Sequence, residues 1–355
     1  MKRLFLILAL ILTACGAPAL APLATPNSND IQLSGSISGT YTVSKSGTAS
    51  DPIIVWGNGV RIDGKKNFDC VLITGSYVVF RDAYISNCGS FGVRVKGKHV
   101  VVENNVITMA SQDNFNGTAC IGGDVGWGTG GRAADTDDVI FRGNLVFETC
   151  GEGLSAVRST NVLIENNVVR DAFSVNIYVD QSSFVTVRNN WSYSTGDARF
   201  YKALVVARGI AIGAEIYPAW TFNVHDILIE NNLLERVRGI NYIVEQAGTP
   251  FNVTVRNNNF ITVAAPLVSL GTWATVSGNI SVTPTPGGTA VTMTPSPTVA
   301  VTSTPSATPS RTPTPTQTAT PTATATGAVT IMPTITPTPC SIMEDDDFTI
   351  WIWCK

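Results

Sequence analysis

Residues 162–169 read VLIENNVV, and close variants recur along the chain: VVVENNVI at 100–107, VTVRNNWS at 185–192, ILIENNLL at 227–234 and VTVRNNNF at 253–260. Aligned on the second asparagine, the units fall at Asn105, Asn144, Asn167, Asn190, Asn232, Asn258 and Asn279, in steps of 39, 23, 23, 42, 26 and 21 residues. With 23 as the unit, the two long steps are one unit plus insertions of 16 and 19 residues. VVFRDAYI at 78–85 fits one unit earlier, with Ala83 in the asparagine slot. The positions five and three before that slot are apolar every time, from Val78/Phe80 through Val162/Ile164 to Ala274/Val276. Period-two apolar residues mark a strand with one face inward. A lone strand of this kind cannot build a core, but stacked as coils of a solenoid such strands share one. Asparagine at a fixed turn position tolerates left-handed backbone, and its amide can bond the same residue one coil away. The repeat therefore predicts an all-β chain with an asparagine ladder.

Composition agrees. Only 14% of the 355 residues are charged, the formal charge is −3, and no basic tract stands out, so nucleic acid is not an expected partner. His99 and His225 are the only histidines, which restricts histidine-based catalysis and zinc chemistry.

The ends differ from the middle. Lys2 and Arg3, the apolar run LFLILALIL and the sequence Leu12-Thr13-Ala14-Cys15 form a bacterial lipoprotein signal pattern over residues 1–14. It predicts cleavage before Cys15, lipidation of that residue and a tether over 15–30. The mature chain is then expected in the cell envelope, lipid-anchored to a bacterial membrane and exposed outside the cytoplasm. Of the 57 residues at 283–339, 21 are Thr and 12 are Pro, and only Arg311 is charged, a composition expected to stay disordered. Residues 340–355 form a short terminal segment in which Cys340 and Cys354 are the natural local pair. The pairing of Cys70, Cys88, Cys120 and Cys150 is left open.

Over residues 31–282 the chain resembles the right-handed single-stranded parallel β-helix proteins of the pectate lyase and chondroitinase B-like polysaccharide lyase type. The repeat carries the resemblance, and SGTYTVSKSGTASDPIIVWGNGVRIDG at 38–64 looks like their first coils. The resemblance implies a surface-tethered monomer acting on a polysaccharide along the exposed face of the first strand of each coil. That strand matches GVRV at 92–95, GLSA at 153–156, NIYV at 176–179, GIAI at 209–212 and GINY at 239–242. Alternation puts Leu154/Ala156, Ile177/Val179 and Ile210/Ile212 inside. Arg94, Lys96, Ser155, Tyr178, Asp180 and Asn241 then face out, with Glu152 leading into the strand and Arg158, Glu215 and Glu245 just after it.

The resemblance further implies β-elimination on a uronic-acid polymer, with Ca²⁺ held by Glu152, Asp180 and Asp197 and with Lys202 or Arg208 as base. Tyr178, Asn176, Arg158, Arg199 and Asn241 are the expected substrate contacts. A glycoside hydrolase would instead use Glu152 and Asp180 as its carboxyl pair. The Asn-Thr-Asp, Asp-Asp and Gly-His-Gly set of the β-helical polygalacturonases is not matched: Asp137-Asp138 lies before the second strand, on the wrong side of the coil, and neither histidine sits between glycines, which counts against that family. A non-catalytic glycan-binding or adhesive solenoid is the third reading.

Overall fold

A computed structural model describes residues 27–282, apart from 67, 123–126, 203, 218–219 and 264–265. Cys15 and its signal, the Thr/Pro tract and the Cys340/Cys354 segment lie outside the described residues. Within them, strands run from Ile31–Gln32 to Ile280–Val282, and the helical structure consists of two 3₁₀ turns, Gln112–Asn114 and Ala198–Phe200. No helix among the described residues is long and apolar enough to cross a membrane.

Every strand pairs in parallel with its counterpart one coil away, giving sheets of ten, ten and nine described strands. One coil passes from a front strand such as Val175–Asp180 to a ladder strand, Ser183–Arg188, and then to a short strand of a third sheet, Trp191–Tyr193. The chain is a right-handed parallel β-helix, the hand that parallel crossovers take. Ladder strands are in register throughout: Val139 lies beside Val162, Val162 beside Val185 and Val185 beside Ile227. Their inward residues fill one continuous core in which Val78, Phe80, Phe141, Ile164, Val187 and Ile229 are fully buried. The pattern weakens at the last described coil, where Val276 is 48% exposed because no described strand stacks beyond it.

The asparagine ladder runs through seven coils. The backbone N–H and side-chain amide of Asn144 both donate to Asn167 Oδ1, at 2.9 and 3.0 Å. Asn167 repeats this toward Asn190, and Asn190 toward Asn232. Each amide also donates to a main-chain carbonyl of the adjoining coil, as Asn167 does to Phe141 O at 2.9 Å. The left-handed residue, however, is the one before the ladder asparagine: Asn104, Gly143, Asn166, Asn189, Asn231 and Asn257 all have φ between 55° and 64°. The two asparagines of ENN and RNN thus divide the work. The first accepts the strained turn, and the second satisfies buried backbone groups.

The charge before them has a role too. Successive coils carry Arg81, Glu103, Arg142, Glu165, Arg188, Glu230 and Arg256 side by side, with strictly alternating sign. Ion pairs join Arg142 to Glu103 at 2.7 Å, Arg188 to Glu165 at 2.7 Å and Arg256 to Glu230 at 2.8 Å. Such half-exposed pairs each contribute roughly 0–1 kcal/mol. Their larger effect is on register, because stacked strands lie only about 4.8 Å apart and a slip by one coil would set like charges together.

Two disulfides close among the four central cysteines: Cys70 to Cys88 and Cys120 to Cys150.

Candidate functional site

The insertions decide where the solenoid differs from a plain rod. Residues 109–128 precede the front strand Thr129–Ala134, and residues 194–207 precede the front strand Arg208–Ala214. Both excursions leave on the same side of the front sheet. They are joined by Cys120 N–H donating to Arg199 O at 2.9 Å and by an apolar cluster of Phe173 and Phe200 with Trp127 and Phe115 against it, while the Cys120–Cys150 disulfide fastens the first excursion to the next coil. Residues 215–217 and 220–224 follow the strand Arg208–Ala214 on the other side of the front sheet. Gln181 fastens them, donating from Nε2 to Glu215 O at 2.8 Å and accepting Asn223 N–H at 2.9 Å. The front sheet is the floor between these two walls, and its outer face is covered: Ser155 and Asp180 are 0% and Tyr178 2% exposed.

On that floor Leu154, Ala156, Ile177, Val179, Ile210 and Ile212 point inward and are fully buried, while Ser155, Tyr178 and Asp180 lie on the outer face. The alternation breaks at the start of each strand. A side chain at Gly153 would meet Val169 of the core, and Asn176 beside it bonds Ser192 Oγ and Tyr193 O inside the coil. Asn176, expected to contact substrate, is therefore an internal residue satisfying backbone at a corner.

On the covered outer face of this floor is an acidic cluster. Asp180 accepts Glu215 N–H on Oδ1 at 3.0 Å, and its Oδ2 lies 2.5 Å from the Tyr217 hydroxyl. Tyr217 also lies 3.0 Å from Glu215 Oε2, and the Tyr178 hydroxyl lies 2.9 Å from Glu215 Oε1. Burial, and next the Glu215 charge, push the Asp180 carboxyl up to about 6. The same two causes hold both phenols above the usual tyrosine range. Glu152 approaches from the other end of the floor. It stands beside Val175, whereas Asp180 stands beside Val157, so five positions of strand, about 16 Å of rise, separate their backbones. Arg132 Nη2 meets Glu152 Oε2 at 3.0 Å, while Arg132 Nε bonds Ser155 Oγ at 3.1 Å. Burial outweighs that guanidinium and, with Glu215 and Asp180 adding repulsion, raises Glu152 to about 7. The cluster thus contains carboxyl groups poised to give up a proton near neutrality.

The other expected site residues are dispersed. Arg158 grips Asp135 through two hydrogen bonds at 2.6 and 2.8 Å, and its guanidinium covers the Tyr217 ring at 4.3 Å. Arg199 is held by Asp197 at 2.6 Å on the wall rather than on the floor, and that contact keeps the Asp197 carboxyl below its usual range. Lys202 lies over the Trp127 ring at 5.1 Å, and Trp127 itself packs on Phe173. Arg208 begins the front strand beside Val175, and Asn241 is half-buried beside Ala211.

The expected calcium ligands do not converge. Asp197 belongs to Arg199, both Asp180 oxygens already accept hydrogen bonds, and Glu152 is paired with Arg132. Among the described residues no group of acidic, histidine or cysteine side chains is arranged to hold a metal, so this donor set does not fit Ca²⁺. The two histidines pair with Asp138 and Asp226 on the ladder side of the coil. A shallow depression of about 330 Å³ also lies on that side, lined by Ile140, Leu163, Phe184 and Thr186, away from the acidic cluster.

Tyr217 and Arg132 are the site residues that sequence reasoning missed. Tyr217 sits in an insertion without repeat register, and Arg132 follows a run of glycines that hides the strand pattern.

Residues 48–213 match the family model described as right handed beta helix region. Among solved structures, an alginate lyase from Paenibacillus sp. is 16% identical, covering 71% of this chain and 91% of its own, with a TM-score of 0.41. A pectate lyase is 14% identical over 70% of this chain and 68% of its own, with a TM-score of 0.43. The tailspike protein of E. coli bacteriophage HK620, in complex with a pentasaccharide, is 15% identical over 72% of this chain and 48% of its own, at 0.44. None of the curated proteins matches the sequence. These likenesses concern the fold alone.

Proposed function

We propose that the outer face of the front sheet, opened as a trough when residues 215–217 move aside, binds a polysaccharide and that its carboxyl groups hydrolyse a glycosidic bond. The observation that carries this reading is the pairing of Glu152, held near 7 in a buried position, with the Asp180–Glu215 pair facing the same floor. In this reading protonated Glu152 gives its proton to the leaving glycosidic oxygen. Asp180 or Glu215, whichever is ionised, takes a proton from the attacking water. Arg132 positions Glu152, and its charge stabilises the carboxylate left after proton transfer.

The geometry supports β-elimination less well. That reaction needs a cation at the uronate carboxylate and an unprotonated base beside the ring, yet Lys202 belongs to the wall, Arg208 stands at the Glu152 end of the floor and the floor near Asp180 is acidic. One observation favours binding without cleavage: Asp180 is 0% and Tyr178 2% exposed, so a glycan reaches them only after residues 215–217 move. The Leu12–Cys15 motif supports a lipid anchor that would hold the domain outside the cytoplasm; mass spectrometry of the mature N-terminus tests it.

The functional test is digestion of neutral and uronic-acid polysaccharides with and without a chelator. Hydrolysis gives new reducing ends, no ultraviolet-absorbing unsaturated ends and no chelator sensitivity. Unsaturated ends would replace this reading by elimination, and retention without products would leave a binding protein.

A further inference from the structure

We propose that Asp180 and Glu215 share one carboxyl proton through the Tyr217 hydroxyl, and that this proton holds residues 215–217 closed over the trough floor. The inference rests on the trough being the substrate site, and it adds a control on access to it.

Hydrogen counting carries the argument. Three oxygen–oxygen contacts of hydrogen-bond length meet here: Tyr178 with Glu215, Tyr217 with Glu215 and Tyr217 with Asp180. Two phenols supply only two hydrogens, because each hydroxyl has one to give. The Glu215 N–H is spent on the other Asp180 oxygen. With both carboxyls ionised, one Tyr217 contact would be lone pair against lone pair at 3.0 Å or less. A third hydrogen removes the conflict: one carboxyl donates to the Tyr217 oxygen, and Tyr217 donates to the other carboxylate.

Among the described residues, the two cations that act on the pair, Arg132 and Arg158, are each already joined to another carboxylate. The charged and titratable groups facing the pair are Glu152 and Arg132 from the floor, Arg158 over the Tyr217 ring, Tyr178, Tyr242 and Glu245. The raised Asp180 carboxyl agrees with the count. Since its value lies above the ordinary one, the stabilisation is complete below 3.8 and is lost as pH rises through about 6. Proton loss then sets Asp180 and Glu215 in repulsion, breaks one Tyr217 contact and frees the segment that covers Asp180.

Hydrogen exchange of the full-length protein at pH 5 and pH 8, normalised for intrinsic rates, reads the Glu215 amide directly. A rise from 3.8 to about 6 is worth on the order of 100-fold over the whole titration, of which about 10-fold falls between pH 5 and pH 8, the loss of protection expected here. Glu215→Gln keeps an oxygen for Tyr178 and brings a permanent N–H to Tyr217, so its protection is expected to be the same at both pH values. Tyr217→Phe removes both contacts and is expected to be open at both. Wild-type protection independent of pH, a Gln variant that opens like wild type, or a Phe variant protected at pH 5 would each overturn the proposal. No substrate enters this measurement, so its failure is separable from failure of the hydrolytic reading.

Discussion

Replacing Glu152 by Gln removes one ionisation from the buried floor and leaves the side chain its size and an oxygen for Arg132. In the folded protein that carboxyl titrates near 7 rather than at its ordinary 4.5. The difference of 2.5 units, at about 1.4 kcal/mol per unit, is on the order of 3 kcal/mol. Because the folded value is the higher one, wild type holds this stability fully below 4.5 and loses it as pH rises through about 7. The Gln variant has nothing to lose. Asp180 titrates in both proteins, so most of its contribution cancels in the difference. Urea unfolding at about pH 4, 6 and 8 should therefore show wild type falling relative to Glu152→Gln by about 3 kcal/mol across the range, with equal m-values. Parallel pH profiles would refute the reasoning, because they would mean Glu152 is solvated or fully compensated by Arg132.

Three further outcomes follow from the scaffold. Asn167→Ala leaves the buried Asn144 N–H without its acceptor and is expected to cost about 2–4 kcal/mol, while Asn166→Gly, at φ 55°, should be neutral or stabilising; equal costs in thermal or urea unfolding would contradict the division between the two asparagines. Ile164→Asp sets an unpaired charge among fully buried residues and should abolish cooperative unfolding, so an unchanged melting curve would count against the core described here. Converting Cys120 and Cys150 together to Ser opens a loop of 30 residues worth about 3–4 kcal/mol, and limited proteolysis should then cut within 109–128 before it cuts the coils.

The fold was legible because a solenoid writes the same physical requirement many times. Val162/Ile164 and their counterparts need a common core, and Asn144, Asn167 and Asn190 need a common stack, so the requirement survives variation at any single coil. Alternation of Arg and Glu before the asparagines was equally visible in the sequence, but it acquires meaning only once the strands are known to lie in register. The site was read less completely. Glu152, Tyr178 and Asp180 belong to repeated strands, and their outward direction followed from parity, whereas parity fails for Asn176 because each front strand begins at a corner with two successive inward residues. Asp197, Arg199 and Lys202 neighbour the front strand in sequence, yet they lie in an excursion held aside by an aromatic cluster around Phe200 and by the Cys120 N–H bond to Arg199 O. Tyr217 becomes visible only through its two carboxylate contacts.

Digestion in ¹⁸O-labelled water tests the central claim most directly. With a polysaccharide that the protein cleaves, hydrolysis through Glu152 and the Asp180–Glu215 pair places one labelled oxygen in every product pair, at the new reducing end, and Glu152→Gln abolishes the reaction. Products that carry no label and weigh one water less than hydrolysis requires would show elimination instead and would contradict the account.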